Sequence, residues 1–168
     1  MRTCVAEKVR AFEALNDLSL KGEIVVLGST YMAEFPFYEL INRCCLENAV
    51  YNRSIAGLTV SEAAEILPAA VLELRPTKVF LCFDEATEPQ GYEALIRQLL
   101  AALPDAAIYV VGRSAGEAAR LAPLCDGKRV RYVGLPSAGD YKTAFKRLCC
   151  FFRRRPVDMV DAFAMAAL

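Results

Sequence analysis

Apolar positions in this chain follow two alternating rhythms. Short uninterrupted apolar runs, the form of strands buried on both faces, alternate with stretches where apolar residues return every three or four positions, the form of helices with one buried side. Residues 2–15 place Val5, Val9, Phe12 and Leu15 (or Leu18) near helical spacing. Residues 23–27, Glu23 followed by Ile24-Val25-Val26-Leu27, then form a largely apolar run that ends at Gly28, the expected shape of a parallel strand buried on both faces. Over residues 36–45 the pattern turns helical again, with Phe37, Leu40, Ile41 and Cys44 on one side and Pro36 suited to a first turn. A short second strand is expected over 48–51. The sequence Thr59-Val60-Ser61-Glu62 is a capping box, in which hydroxyl and carboxylate satisfy each other's orphan amides, and it opens a helix to about Leu74.

The alternation continues to the end of the chain. Strands are expected over 78–83, 107–111 and 130–133, with helices over 92–103, after a Ser114 and Glu117 cap, and over 138–152. In the last helix Tyr141, Phe145, Leu148 and Phe152 make an apolar stripe that reads as a core face. Repeated strand-helix units call for an α/β fold, a three-layer α/β/α sandwich with a central, mostly parallel five-stranded sheet and helices on both faces. No internal repeat, low-complexity segment or linker interrupts the chain, so residues 1–168 are expected to form one domain. In such sheets ligands bind beyond the carboxyl ends of the strands, which directs attention to the loops after Leu27, Tyr51 and Phe83.

Composition narrows the chemistry. A chain of 168 residues with 55% hydrophobic and 24% charged residues is suited to one folded core. No apolar run approaches the roughly 20 residues of a membrane span, and residues 1–10 hold no stretch of signal-peptide length, so a cytoplasmic location is expected. Seven cysteines, an odd number, argue against a disulfide framework, and most are expected to be reduced core residues. The neighbouring pairs Cys44-Cys45 and Cys149-Cys150 lack the gap of a zinc knuckle. The chain has no histidine at all. That excludes any Ser-His or Cys-His mechanism within it and removes the usual proton shuttle near neutral pH.

Three stretches, residues 24–36, 50–57 and 74–87, each run from a strand into a loop, and together they resemble the blocks of the SGNH (GDSL-type) hydrolases. Ile24-Val-Val-Leu-Gly-Ser-Thr-Tyr-Met-Ala-Glu-Phe-Pro36 is similar to the first block, where a strand runs into the nucleophilic serine. Val50-Tyr-Asn-Arg-Ser-Ile-Ala-Gly57, with Asn52 near its start, resembles the second, whose glycine offers an amide to the oxyanion. Leu74-Arg-Pro-Thr-Lys-Val-Phe-Leu-Cys-Phe-Asp-Glu-Ala-Thr87 resembles the third, where a strand leads into Gly-x-Asn-Asp. Order and spacing agree for all three, closely over residues 21–88 and more weakly beyond. The resemblance implies the SGNH hydrolase fold, a flavodoxin-like sandwich, and a hydrolase ancestry.

Carried across, the resemblance puts the nucleophile at Thr30, with Ser29 beside it, and the oxyanion amide at Gly57. The third-block asparagine falls on Ala86, which has no side-chain donor, and Asp84 and Glu85 bring acidity where negative charge would develop. The final Asp-x-x-His block is best matched by Asp158-Met-Val-Asp161, with aspartate in place of the histidine base. The plain reading of Thr30 is a hydroxyl that bonds the turn or caps a nearby helix.

Three functions compete on these residues. The first is a non-catalytic pseudo-hydrolase that binds, with a small acyl ester or acetylated sugar as the ligand implied by the resemblance. The second is an atypical esterase using Thr30 with Asp161 or a displaced base. The third is a metal-dependent enzyme built on Asp84, Glu85, Asp158 and Asp161; otherwise no metal or cofactor is expected. Residues 128–155 hold nine basic residues against Asp140 alone, and Arg153-Arg154-Arg155 is a possible anion dock. The total of 20 basic and 20 acidic residues argues against nucleic acid as a partner and for a solvated helix face. Nothing calls for a membrane, and the apolar tail Met159, Val160, Phe163, Met165 and Leu168 is compatible with a homodimer.

Overall fold

Uninterrupted apolar runs make the middle of the sheet. In the computed structural model, which describes residues 2–42, 46, 48–84, 89–136 and 140–153, β1 (Ile24–Gly28), β3 (Lys78–Cys82) and β4 (Ala107–Gly112) are buried along their whole length. The less buried strands β2 (Val50–Asn52) and β5 (Val130–Gly134) take the edges. All neighbours pair in parallel in the order β2-β1-β3-β4-β5, with Ile24 opposite both Val50 and Lys78. The flavodoxin-like sandwich expected from the sequence is therefore the fold observed.

Successive strand side chains point to opposite faces, so each strand feeds two cores. On one face Val25, Leu27, Val79 and Leu81 pack with Phe12 of α1 (Thr3–Asn16), Ile66 of α4 (Val60–Ala70), Leu95 of α5 (Pro89–Ala102) and Leu121 of α6 (Ala115–Leu121). On the other face Ile24, Val26 and Phe80 meet Met32 of α2 (Thr30–Ala33), Phe37 of α3 (Phe37–Ile41) and Phe145, Leu148 and Phe152 of α7 (Tyr141–Arg153). Phe80 stacks on Tyr109 with centroids 4.4 Å apart. Burying a ring of this size contributes about 1.5–3 kcal/mol.

Helix ends are fixed as the sequence implies. Thr59 and Glu62 form the full capping box, and the Ser114 hydroxyl accepts from the Glu117 amide. At the carboxyl end of α7 the ammonium of Lys78, itself buried, donates to the carbonyls of Phe151 and Phe152 at 2.8 and 2.7 Å. A cation there answers both the orphan carbonyls and the negative end of the helix dipole. The β5 edge is blunted too: the Asp126 carboxylate accepts from the Val130 amide, and Arg147 donates to the Gly134 carbonyl.

Some expectations need correction. Leu15 and Leu18 are exposed, 51% and 84%, and the last turn of α1 instead buries Asn16, whose amide donates to the Ala69 carbonyl and to Glu73. A satisfied polar side chain wins that position because it closes α1 against the end of α4. Tyr141 is the exposed member of the α7 stripe. Pro36 sits at the N-cap of α3, and α2 is a helix that no apolar period announced. Cys82 and Cys149 are buried, whereas Cys4 and Cys150 are exposed, so the described thiols are not uniformly core residues; Cys44 and Cys45 lie outside the described residues.

Candidate functional site

Strand β1 has β2 on one side and β3 on the other, so the chain reverses direction between β1 and β3 and opens a crevice at their carboxyl ends. Gly28 makes the approach there possible: a Cβ at this position would lie 2.1 Å from the Cys82 carbonyl oxygen. The next amide, Ser29, donates to that same oxygen at 3.0 Å. The Ser29 hydroxyl, fully buried, accepts from the Asp84 amide at 3.0 Å. From the β2 side the Ile55 amide donates to the Gly28 carbonyl at 3.1 Å. The loops after β1, β2 and β3 are thereby tied into one cluster.

Thr30 sits at its centre. Its hydroxyl donates to Asp84 Oδ2 at 3.1 Å and accepts from the Gly57 amide at 3.0 Å. Gly57 holds φ at +67°, a left-handed backbone that a side chain would strain and that turns this amide toward Thr30. The Thr30 hydroxyl does not cap α2; it bridges the loops after β2 and β3.

This arrangement carries chemical consequences. The Gly57 amide is taken up by the Thr30 hydroxyl, and the Asp84 carboxylate lies on the other side of that hydroxyl, where it would oppose any negative charge developing on the oxygen. The same carboxylate is within reach of the threonine proton, as a base must be. The neighbouring thiol offers no alternative nucleophile, because burial pushes Cys82 up to about 12, well away from the thiolate.

A second group faces the crevice from the end of β4. Arg113 lays its guanidinium 4.4 Å over the ring of Tyr31, which stacks in turn on Tyr141 at 5.9 Å. Phe35 meets Tyr141 edge-on at 5.3 Å. Burial raises the Tyr31 phenol to about 12, with the opposing pull of Arg113 smaller, so the ring stays neutral under the cation. Arg113 Nη2 lies 3.8 Å from Asp84 Oδ1, too long for a hydrogen bond. Its Nε is buried without an acceptor among the described residues. A buried donor left so costs about 1–3 kcal/mol.

Behind Arg113, Glu117 is also buried. One carboxylate oxygen accepts from the Arg113 amide and the other has no partner among the described residues. Neither Arg113 nor Tyr31 stood out in the sequence. The available signal for Arg113 was its place immediately after an apolar strand, at the ligand-binding end of the sheet.

Other expected site residues have different fates. Asn52 is engaged structurally: its side-chain amide donates to the Met32 carbonyl at 2.8 Å, and its oxygen accepts from the Ser54 amide. Glu85, Ala86, Asp158 and Asp161 lie outside the described residues. Helix α7 begins beside Tyr31 and ends at Lys78, at the amino ends of the strands and so at the opposite end from Thr30. The described acid in the loop between β5 and α7 is Asp140, which accepts from the Thr143 amide and is held below the usual carboxylate range by its bonds to Thr143. Among the described residues no group of three or more His, Cys, Asp or Glu side chains is arranged to hold a metal ion. No helix among them is long and apolar enough to cross a membrane.

No family model and no curated protein matches the chain. Among solved structures, a protein from Streptococcus pneumonia provisionally described as a platelet activating factor superposes with a TM-score of 0.69 at 17% identity, over 89% of this chain and 92% of its own. TesA overlays more loosely, with a TM-score of 0.46 at 20% identity over 54% and 59% of the two chains. A protein from Parabacteroides merdae provisionally described as a GDSL-like lipase gives 0.43 at 14% identity over 86% and 76%. At such identities the likeness is one of fold.

Proposed function

We propose that this chain, which carries the fold of the SGNH hydrolases, is a ligand-binding member of that fold without ester turnover. The observation that supports the reading is the Thr30 hydroxyl bonded on both sides, to Asp84 Oδ2 and to the Gly57 amide, in a chain that has no histidine. Attack on a carbonyl would have to break the bond from Gly57 and place the resulting oxyanion beside a carboxylate. Groups that act as a unit in catalysis fail as a unit, and nucleophile, donor and base are all changed here. The ligand proposed for the crevice is a small acyl ester or acetylated sugar, bound and released intact.

One observation favours a second reading. Asp84 stands 3.1 Å from the Thr30 hydroxyl, so a threonine nucleophile with a carboxylate base is geometrically available. Hydrolysis of p-nitrophenyl acetate and butyrate separates the two, with Thr30→Ala and Asp84→Asn proteins prepared in parallel as controls for contaminating esterase. The binding reading expects the same background rate from all three. Turnover present in the native protein and lost in both variants would establish the second reading in its place.

A further inference from the structure

We propose that Arg113 is the recognition group of the crevice and that the ligand it selects carries a single oxyanion, a carboxylate or a phosphate. The inference rests on the reading of the crevice as a binding site and adds the chemical class of what it binds.

The argument starts from what Arg113 does not do. A guanidinium presents five N–H donors in a rigid fork that suits bidentate oxyanions. Elsewhere in this chain such a fork closes on a carboxylate: Arg2 reaches Glu62 Oε1 at 2.6 Å and Oε2 at 2.7 Å. Arg113 makes no comparable pair. Among the described residues none accepts a hydrogen bond from its guanidinium, and its nearest carboxylate, Asp84, stays 3.8 Å away.

Asp84 is kept from closing that gap by its own bonds. Its Oδ2 accepts from Thr30 and its amide donates to Ser29, which fixes the residue toward β1. Meanwhile the guanidinium plane is fixed on the other side by the Tyr31 ring, backed by Tyr141. The fork is therefore held in place before any ligand arrives, which lowers the ordering cost of binding. The side chain remains 18% open, and because its Nε is closed off, the ligand meets the terminal Nη groups.

The surrounding charge limits the ligand to one anionic group. Asp84 flanks the guanidinium, Glu117 lies buried beneath it and Asp140 stands near Tyr31 on the α7 side. A polyanion would meet these acids, whereas one oxyanion on the Nη edge meets the cation first. A lysine here would keep the charge and lose both the stacking on Tyr31 and the paired donors.

The test titrates isotope-labelled full-length protein with inorganic phosphate and, separately, acetate. Ionic strength is held constant with sodium chloride, and the arginine side-chain and Tyr31 amide NMR signals are followed. Saturable shifts are expected with at least one anion, and whichever binds more tightly identifies the ligand class. Arg113→Lys is expected to weaken that affinity about tenfold, in line with loss of a charge-assisted bidentate contact, and Arg113→Met to abolish it. Thermal unfolding without anion confirms that both variants fold. Shifts that never saturate with either anion, or equal affinity in all three proteins, would overturn the inference. Ester turnover lost in Thr30→Ala would instead strike the non-catalytic reading and leave the role of Arg113 standing.

Discussion

Two arginines of this chain lie on aromatic rings and serve opposite ends. Arg53, at the end of β2, is 3% exposed, with its guanidinium 4.8 Å over Phe12 and 5.8 Å from Tyr51. It donates to Asn16 at 2.9 Å and reaches Ser19 at 3.4 Å, which joins the β2 loop to the end of α1. Burial draws its pKa down, partly opposed by Tyr51 and Glu73, and its Nη1 has no acceptor among the described residues. Arg113 has the same kind of stacking and none of the hydrogen bonds. A cation whose donors reach inward to separate segments belongs to the scaffold; one whose guanidinium finds no hydrogen-bond acceptor among the described residues is turned toward a ligand.

That contrast is sharpest at Arg53. Truncation to Ala removes a buried stem from between two rings and strips Asn16 of its donor, so Arg53→Ala is expected to destabilise by about 2–4 kcal/mol in urea unfolding. Arg53→Met, which keeps the stem and removes a poorly paired buried charge, is expected to lose less than half of that. Equal losses in the two variants would mean that the charge, and not the packing, holds the loop to α1.

Arg113→Met should behave otherwise. A stacking contact worth about 0.5–1 kcal/mol and the long 3.8 Å ion pair with Asp84 are lost, and a donor without an acceptor disappears with them, so stability is expected to stay within about 1 kcal/mol of native. A loss as large as that of Arg53→Ala would place Arg113 in the scaffold and erase the distinction.

The smallest effect belongs to the surface pair of Arg2 and Glu62, a reference for an arginine whose fork is fully engaged. The Arg2 side-chain bond, opposed by partial desolvation and reinforced by Thr59, holds the Glu62 carboxyl near about 2, against an ordinary 4.5. A carboxylate depressed in the folded state contributes stability that is present above its ordinary value and lost as pH falls through the folded one. The stability gap between native and Glu62→Gln proteins is therefore expected to be modest near neutrality, as exposed pairs are, and to close between pH 4.5 and about 2 in unfolding measured across that range. A gap that persisted below that range would assign the effect to the capping box alone.

Much of the scaffold was legible because its signals are local. The runs Ile24–Gly28, Lys78–Cys82 and Ala107–Gly112 declare burial on both faces, and Thr59 with Glu62, and Ser114 with Glu117, announce helix starts within four residues. The crevice was half legible. The block order located Thr30, Gly57 and Asp84 at one place, and the structure brings them into contact. It did not tell that the Gly57 amide would take Thr30 as its acceptor, which depends on a backbone angle. Arg113 left no periodic trace, since one cation after a strand has no pattern; its partner ring lies far away in sequence, on α2. Asn16 was hidden for the related reason that its acceptors belong to α4 and the turn after it.

The fastening of α7 reaches back to the crevice. Buried Lys78 holds its final carbonyls, and Phe151 and Phe152 pack on Tyr109 and Phe80, while the opposite end rests on Asp140, an exposed cap. The helix is thus anchored at the amino ends of the strands, remote from Thr30, and its fraying is expected to start at Tyr141. Local opening free energy is expected to rise along α7 from the first turn to the last, and amide hydrogen exchange, quick beside Tyr141 and slow beside Lys78, is the measurement that checks it. The ring that backs Tyr31 and Arg113 rides on the most readily opened turn of its helix. Opening of that turn would displace Tyr141 and leave Tyr31, carried by α2, under the Arg113 guanidinium.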